Sequence, residues 1–191
     1  MRMLFILWLS ACWHGGNLLA QLKMERETRV RACCVPVPAR QLIDSCFGAT
    51  KIKWYLEESL QHRTYEAKLK FERQKYSIEF DTLGVLEDVE HEISLNAIPD
   101  SVRLKIETHL GATFKKYKIV KIQEQWLGER AALHAKIKGR DLPTPIIINY
   151  EIVVVGKTNR LYKSFELTFN LAGEVIEFLE IIHGHHHNLI Y

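Results

Sequence analysis

Cysteine, methionine and proline are scarce in this 191-residue chain, at four, three and five copies. Four cysteines cannot build a disulfide scaffold for a chain of this size. None stands in Cys-x-x-Cys spacing, which argues against thiol redox catalysis and paired-cysteine zinc binding. An excess of one charge is also missing. Lysine and arginine number 26 against 23 aspartates and glutamates, interspersed along the chain, and the formal charge of +3 argues against a nucleic acid or an anionic membrane as partner. No phosphate-binding glycine loop, His-Glu-x-x-His or Gly-x-Ser-x-Gly is present, so the common signatures of nucleotide, zinc-peptidase and serine-hydrolase chemistry are lacking. Beyond the N-terminal region no run is long and apolar enough for a membrane-spanning helix. What is left is ordinary globular composition, 47% hydrophobic and 26% charged, enough for one large or two small domains, and nothing in it calls for a cofactor.

The apolar run from Met3 to Trp13, preceded by Arg2, has the length of the apolar core of an export signal and is too short to cross a bilayer. Residues 1–20 are accordingly read as a signal peptide cleaved after Ala20, which places the chain in the periplasm or outside the cell. Two alternatives stay open. Leu9-Ser10-Ala11-Cys12 resembles a lipoprotein box, which would anchor the chain through lipid on Cys12, and the apolar segment is otherwise retained as a strand or helix. In an oxidising compartment Cys46 is a partner for Cys33 or Cys34, since these adjacent cysteines are too strained to bond to each other. The other reading is that Cys46 is buried on the apolar side of a helix.

A stretch of the chain occurs twice. Shifting by 63 places Val35-Pro36 on Ile98-Pro99, Gly48-Ala49-Thr50 on Gly111-Ala112-Thr113 and Trp54 on Tyr117. In the first copy, residues 35–93, Ala39, Leu42, Ile43, Cys46 and Phe47 recur at helical spacing and Gly48 ends the helix. Strands follow at 52–56, 65–71, 76–80 and 85–93, and the alternation of Tyr65, Ala67, Leu69 and Phe71 with Glu66, Lys68, Lys70 and Glu72 implies one wet and one dry face. The second copy, residues 98–182, has a helix from Ile98 to Leu110 closed by Gly111, then strands at 117–126, 146–156, 161–170 and 174–182. A loop of about 22 residues inserted within 127–149 is expected to form a longer hairpin or a short helix over a sheet edge, with partner recognition as its other reading. The fold class expected is therefore α+β, two tandem units of one helix packed on an antiparallel four-stranded sheet, followed by a His-rich tail at 183–191.

With Ile98-Pro99-Asp100-Ser101-Val102, Tyr117 to Ile122, Tyr65 to Leu69 and Tyr76 to Leu86 assigned in this order, the chain resembles the PepSY-like domain family, also described as β-lactamase-inhibitor-like. That resemblance implies an exported, noncatalytic binding module that inhibits or regulates an extracytoplasmic enzyme, and hence a protein partner. The alternative is a periplasmic envelope protein that binds a small ligand or a metal ion.

Candidate chemistry is sparse. Glu66, Glu79 and Glu151 fall on polar strand positions and are expected to be solvated. His183, His185, His186 and His187 form a cluster whose imidazoles would hold zinc, copper or nickel weakly, or else a polar tail. No catalytic residues are assigned.

Overall fold

The computed structural model describes residues 20–59, 62–159 and 161–182. Strands β1 (Gln21–Lys23) and β2 (Arg26–Val30) come first, then helix α1 (Val37–Phe47). It is followed by β3 (Ile52–Glu58), β4 (Arg63–Phe71), β5 (Gln74–Phe80) and β6 (Leu86–Glu92). Helix α2 (Asp100–Thr113) and β7 (Tyr117–Leu127) come next, then α3 (Arg130–Ile137), β8 (Ile147–Thr158), β9 (Leu161–Asn170) and β10 (Val175–Ile181).

The expectation of two helix-on-four-strand units is overturned. All ten strands form one sheet in the order β1-β10-β9-β8-β7-β6-β5-β4-β3-β2. The join lies at β6 and β7, antiparallel from Asp88↔Leu127 to Glu92↔Gln123. A physical reason is at hand: left apart, each strand would expose a row of unpaired N–H and C=O groups. Their alternation also matches, Val89 opposite Trp126 on the helix side and Glu90 opposite Gln125 on the other. The sheet is mixed because β1 runs parallel to β10, whereas every other pairing is antiparallel.

The three helices lie on one face, over two apolar cores. Ala39, Leu42, Ile43, Cys46 and Phe47 of α1 meet Trp54, Ala67, Ile78, Phe80 and Val89 in the first. Val102, Ile106 and Leu110 of α2 meet Ile152, Val154, Phe165, Leu167 and Phe169 in the second. Cys46 is a free thiol buried in the first core while Cys33 and Cys34 are free and exposed, so the bridge to either is not formed; burial pushes the Cys46 pKa up. Helix α2 continues through Gly111 to Thr113 and ends where Phe114, 2% exposed, turns into the second core. The insertion holds a short helix, as one expectation had it, but α3 does not cover an edge. It lies against the interior strand β6, with fully buried Leu133 in the first core and Lys138 Nζ donating to the Cys46 carbonyl at 2.6 Å.

Gly84 is the glycine on which the β5–β6 turn depends. Its φ is +83°, and an added Cβ would lie 2.9 Å from Pro36 Cβ and 3.0 Å from the Ala39 nitrogen. Gly84→Ala should therefore cost about 2–3 kcal/mol through strain and overpacking. Gly111→Ala, in mid-helix with open space around it, should be neutral or stabilising by up to about 1 kcal/mol. Urea denaturation of the two variants side by side checks both.

Candidate functional site

The ends of the sheet are consecutive in the chain. Strand β1 pairs with β10 on one edge and β2 pairs with β3 on the other, and only Met24 and Glu25 lie between them. Two residues span at most about 11 Å between flanking Cα atoms, so the sheet must curl until its edges nearly meet. The face turned away from the helices becomes an interior.

That interior is acidic. Strand alternation brings Glu57, Glu66, Glu79, Asp88 and Glu90 onto it from β3 to β6, and Glu151 and Glu166 from β8 and β9. Glu66 is directly opposite Glu79, and Glu79 is directly opposite Asp88, pairings that are unfavourable when both partners are charged. The expectation that Glu66, Glu79 and Glu151 are solvated is wrong: Glu66 and Glu151 are only 4% and 7% exposed, and Glu79 is half-buried. Alternation identifies the polar face of each strand; it does not reveal that the curl encloses that face.

Part of this charge is compensated. Lys23 of β1 donates to Glu166 Oε1 at 2.7 Å. Lys68 joins Glu66 Oε2 at 2.9 Å and Glu27 Oε2 at 2.7 Å. Ser77 donates to Glu66, Gln123 Nε2 to Glu90 Oε2 at 2.7 Å and Gln125 Nε2 to Asp88 Oδ2 at 2.9 Å. Among the described residues, two buried acceptor atoms of this face, Asp88 Oδ1 and Gln123 Oε1, have neither a hydrogen-bond partner nor, unlike Glu66 Oε2, an ion pair. Burial and mutual repulsion act against the rest of the charge, raising the pKa values of the acids that no lysine engages. Burial, then the neighbouring Asp88, pushes Glu79 up to about 9; burial, then Glu66, pushes Glu57 up to about 8. Burial raises Asp88 to about 7 against the hydrogen bond from Gln125, and raises Glu90 well above the usual carboxylate range with help from Glu151. Burial and then Glu166 raise Glu151. For Lys23 burial opposes the charge, but Glu166 outweighs it and the pKa is raised.

Lys23 is thus the pin between the β1 edge and the acidic interior. Lys23→Ala should destabilise the protein by about 3 kcal/mol, the low end for breaking a buried pair because its side chain is 24% exposed. Replacing Lys23 and Glu166 together by Met and Leu should recover much of that loss, which a denaturation series on the single and double variants would show.

A cavity of about 830 Å³ opens on this face, lined by these acids together with Lys23, Lys68 and Lys121 and with the apolar side chains of Val153 of β8 and Leu179 and Ile181 of β10. As a metal centre it is poorly suited. Among the described residues only Glu27, Glu57 and Glu66 bring three ligand atoms within 4.8 Å of one another, and Lys68 already bridges Glu27 and Glu66. The cluster His183, His185, His186 and His187 lies outside the described residues, as does the 1–19 segment. Sequence reasoning missed Lys23, Glu57, Asp88, Glu90 and Glu166. The signal available was the parity of acidic residues along successive strands.

No family model matches the chain, and no curated protein matches it. Solved structures do. A DUF2874 family protein from Bacteroides ovatus aligns at 9% identity over 76% of this chain and 87% of its own, with a TM-score of 0.51. A Bacteroides eggerthii protein provisionally assigned to the periplasm aligns at 13% identity over 76% and 88%, with a TM-score of 0.50. A BLIP-like protein from Bacteroides fragilis aligns at 15% identity over 78% and 89%, with a TM-score of 0.48. At these identities the likeness to the Bacteroides ovatus and Bacteroides eggerthii proteins is one of fold.

Proposed function

We propose that this protein is an exported, noncatalytic binding module that holds a small ligand on the enclosed face of its sheet. The observation that carries this reading is the cavity of about 830 Å³, within the size range of small-molecule pockets, with a lining of both charged and apolar side chains and with buried acceptors left without donors. A protein partner bound through the 127–149 loop is less favoured, because α3 spends its apolar side on the first core. The provisional periplasmic assignment of a structural neighbour supports an extracytoplasmic location. The PepSY-like resemblance supports both the export and the noncatalytic role.

Native mass spectrometry of the protein purified from its own envelope fraction tests the reading. A noncovalent adduct of small-molecule mass, lost on denaturation, is expected. A bare chain that instead co-purifies with a stoichiometric protein partner would contradict it.

A further inference from the structure

The cavity has more acid than the chain's own cations neutralise. Lys23 is engaged by Glu166, and Lys68 by Glu27 and Glu66, while Lys121 acts on Glu151. Among the described residues Glu79, Asp88 and Glu90 have no ion pair with any of them. Asp88 is 8% exposed, lines the cavity and leaves Oδ1 without a donor. An unpaired acceptor buried to this degree is costly, and only a donor or a cation relieves the cost. Apolar side chains line the cavity as well: Val153 and Leu179, half-buried on either side of Glu166 and its partner Lys23, and the half-buried Ile181.

We propose that the cavity takes an organic cation, its ammonium or guanidinium group at Glu79 and Asp88 and its apolar body against Val153, Leu179 and Ile181. This rests on the small-ligand reading above and gives it a chemical class. A divalent metal ion fits less well, since the three carboxylates close enough to share one already hold Lys68. A neutral donor would relieve Asp88 Oδ1 but leave the acids around it without a counter-charge, and an anionic ligand would be repelled.

Binding has a signature of its own. A cation entering among protonated acids favours their ionised forms, so protons leave as it binds. Glu79 and Glu90, both raised by burial, are the groups that supply them. The acids and lysines facing them are Glu57, Glu66, Asp88, Glu151 and Lys23.

Calorimetric titration of the full chain with n-hexylammonium and n-hexanol in phosphate and in HEPES, and with calcium chloride in HEPES alone, at about pH 7.5, tests the proposal. Saturable uptake of hexylammonium is expected, with an apparent enthalpy that differs between the buffers because protons are released. Asp88→Asn should weaken it by about tenfold or more, and Glu79→Gln should reduce the proton release. Both are near-isosteric, and the probe series on the unaltered protein stands without them. Equal uptake of hexanol would overturn the cationic class while leaving the cavity a binding site. Tight calcium binding that excludes hexylammonium, or no saturable uptake of hexylammonium at all, would overturn the proposal. An adduct seen by native mass spectrometry despite that failure would leave the small-ligand reading standing.

Discussion

The protein should melt at a higher temperature at about pH 6.5 than at about pH 8.5, a difference worth roughly 3–5 kcal/mol of unfolding free energy. The sign follows from where the protons are. Glu57 and Glu79 are raised to about 8 and about 9 in the folded protein, from an ordinary value of 4.5, and Glu90 is raised well above it. Throughout this window the unfolded chain has released these protons; the folded protein holds them at the acid end and gives up that of Glu57 first and that of Glu79 later as pH rises. Stability therefore falls as pH rises toward the folded values, by about 1.4 kcal/mol per pH unit for each proton retained. Lys23 and Lys68 do not alter the trend, because their raised pKa values begin to matter only above the ordinary lysine range. His91 and His109 are lowered by burial, and their opposing effect fades as pH rises through about 7.5, so it only trims the difference at the acid end of the window. Differential scanning calorimetry in matched ionic strength gives the comparison; equal or higher melting at the alkaline end would contradict it.

Phe114→Ala should cost about 3–5 kcal/mol, the range for removing a buried aromatic side chain and leaving a cavity. Phe114 is 2% exposed and ends α2 by turning into the second core. Its ring centroid lies 5.0 Å from that of Phe165, 6.4 Å from Tyr117 and 6.2 Å from Phe178, so one side chain ties together α2, β7, β9 and β10. It also lies over Gly156 of β8, where an added Cβ would run into the ring. Gly156→Ala alone should cost about 1–3 kcal/mol by overpacking. Combined with Phe114→Ala it should cost less than the sum, because the cavity left by the ring accepts the methyl group. Additivity in a denaturation double-mutant cycle would mean that the two residues do not share that space.

What was legible in the sequence is the local structure. Glycine, proline and spacing place α1 within a residue of Val37–Phe47, and alternation locates β4 and β5 and which of their residues face the helices. The glycine signal failed at Gly111, because a glycine in a helix is tolerated when the next anchor, Phe114, still has a core to enter. The larger failures concern how edges meet. Nothing local in Leu86–Glu92 or Tyr117–Leu127 states that these strands pair with each other. Residues 21–30, polar and short, gave no strand signal, because their place comes from edges presented by Glu58 and Ile181 far along the chain. The candidate site was hidden by that same miss. Asp88, Glu90 and Glu151 look like a solvated face until β1 and β2 draw the sheet round, and only then do burial and mutual repulsion change their chemistry.

The central claim is that the acidic face of the sheet is an enclosed, partly protonated interior. Titration of the side-chain carboxyl carbons by NMR, in protein labelled at glutamate, tests it most directly. Glu79 and Glu90 should keep their protons at neutral pH, with Glu79 titrating near 9, and Lys23→Ala, by freeing the β1 edge, should shift this midpoint. If every glutamate titrated near the ordinary value of 4.5, the face would be solvated and the account would be contradicted.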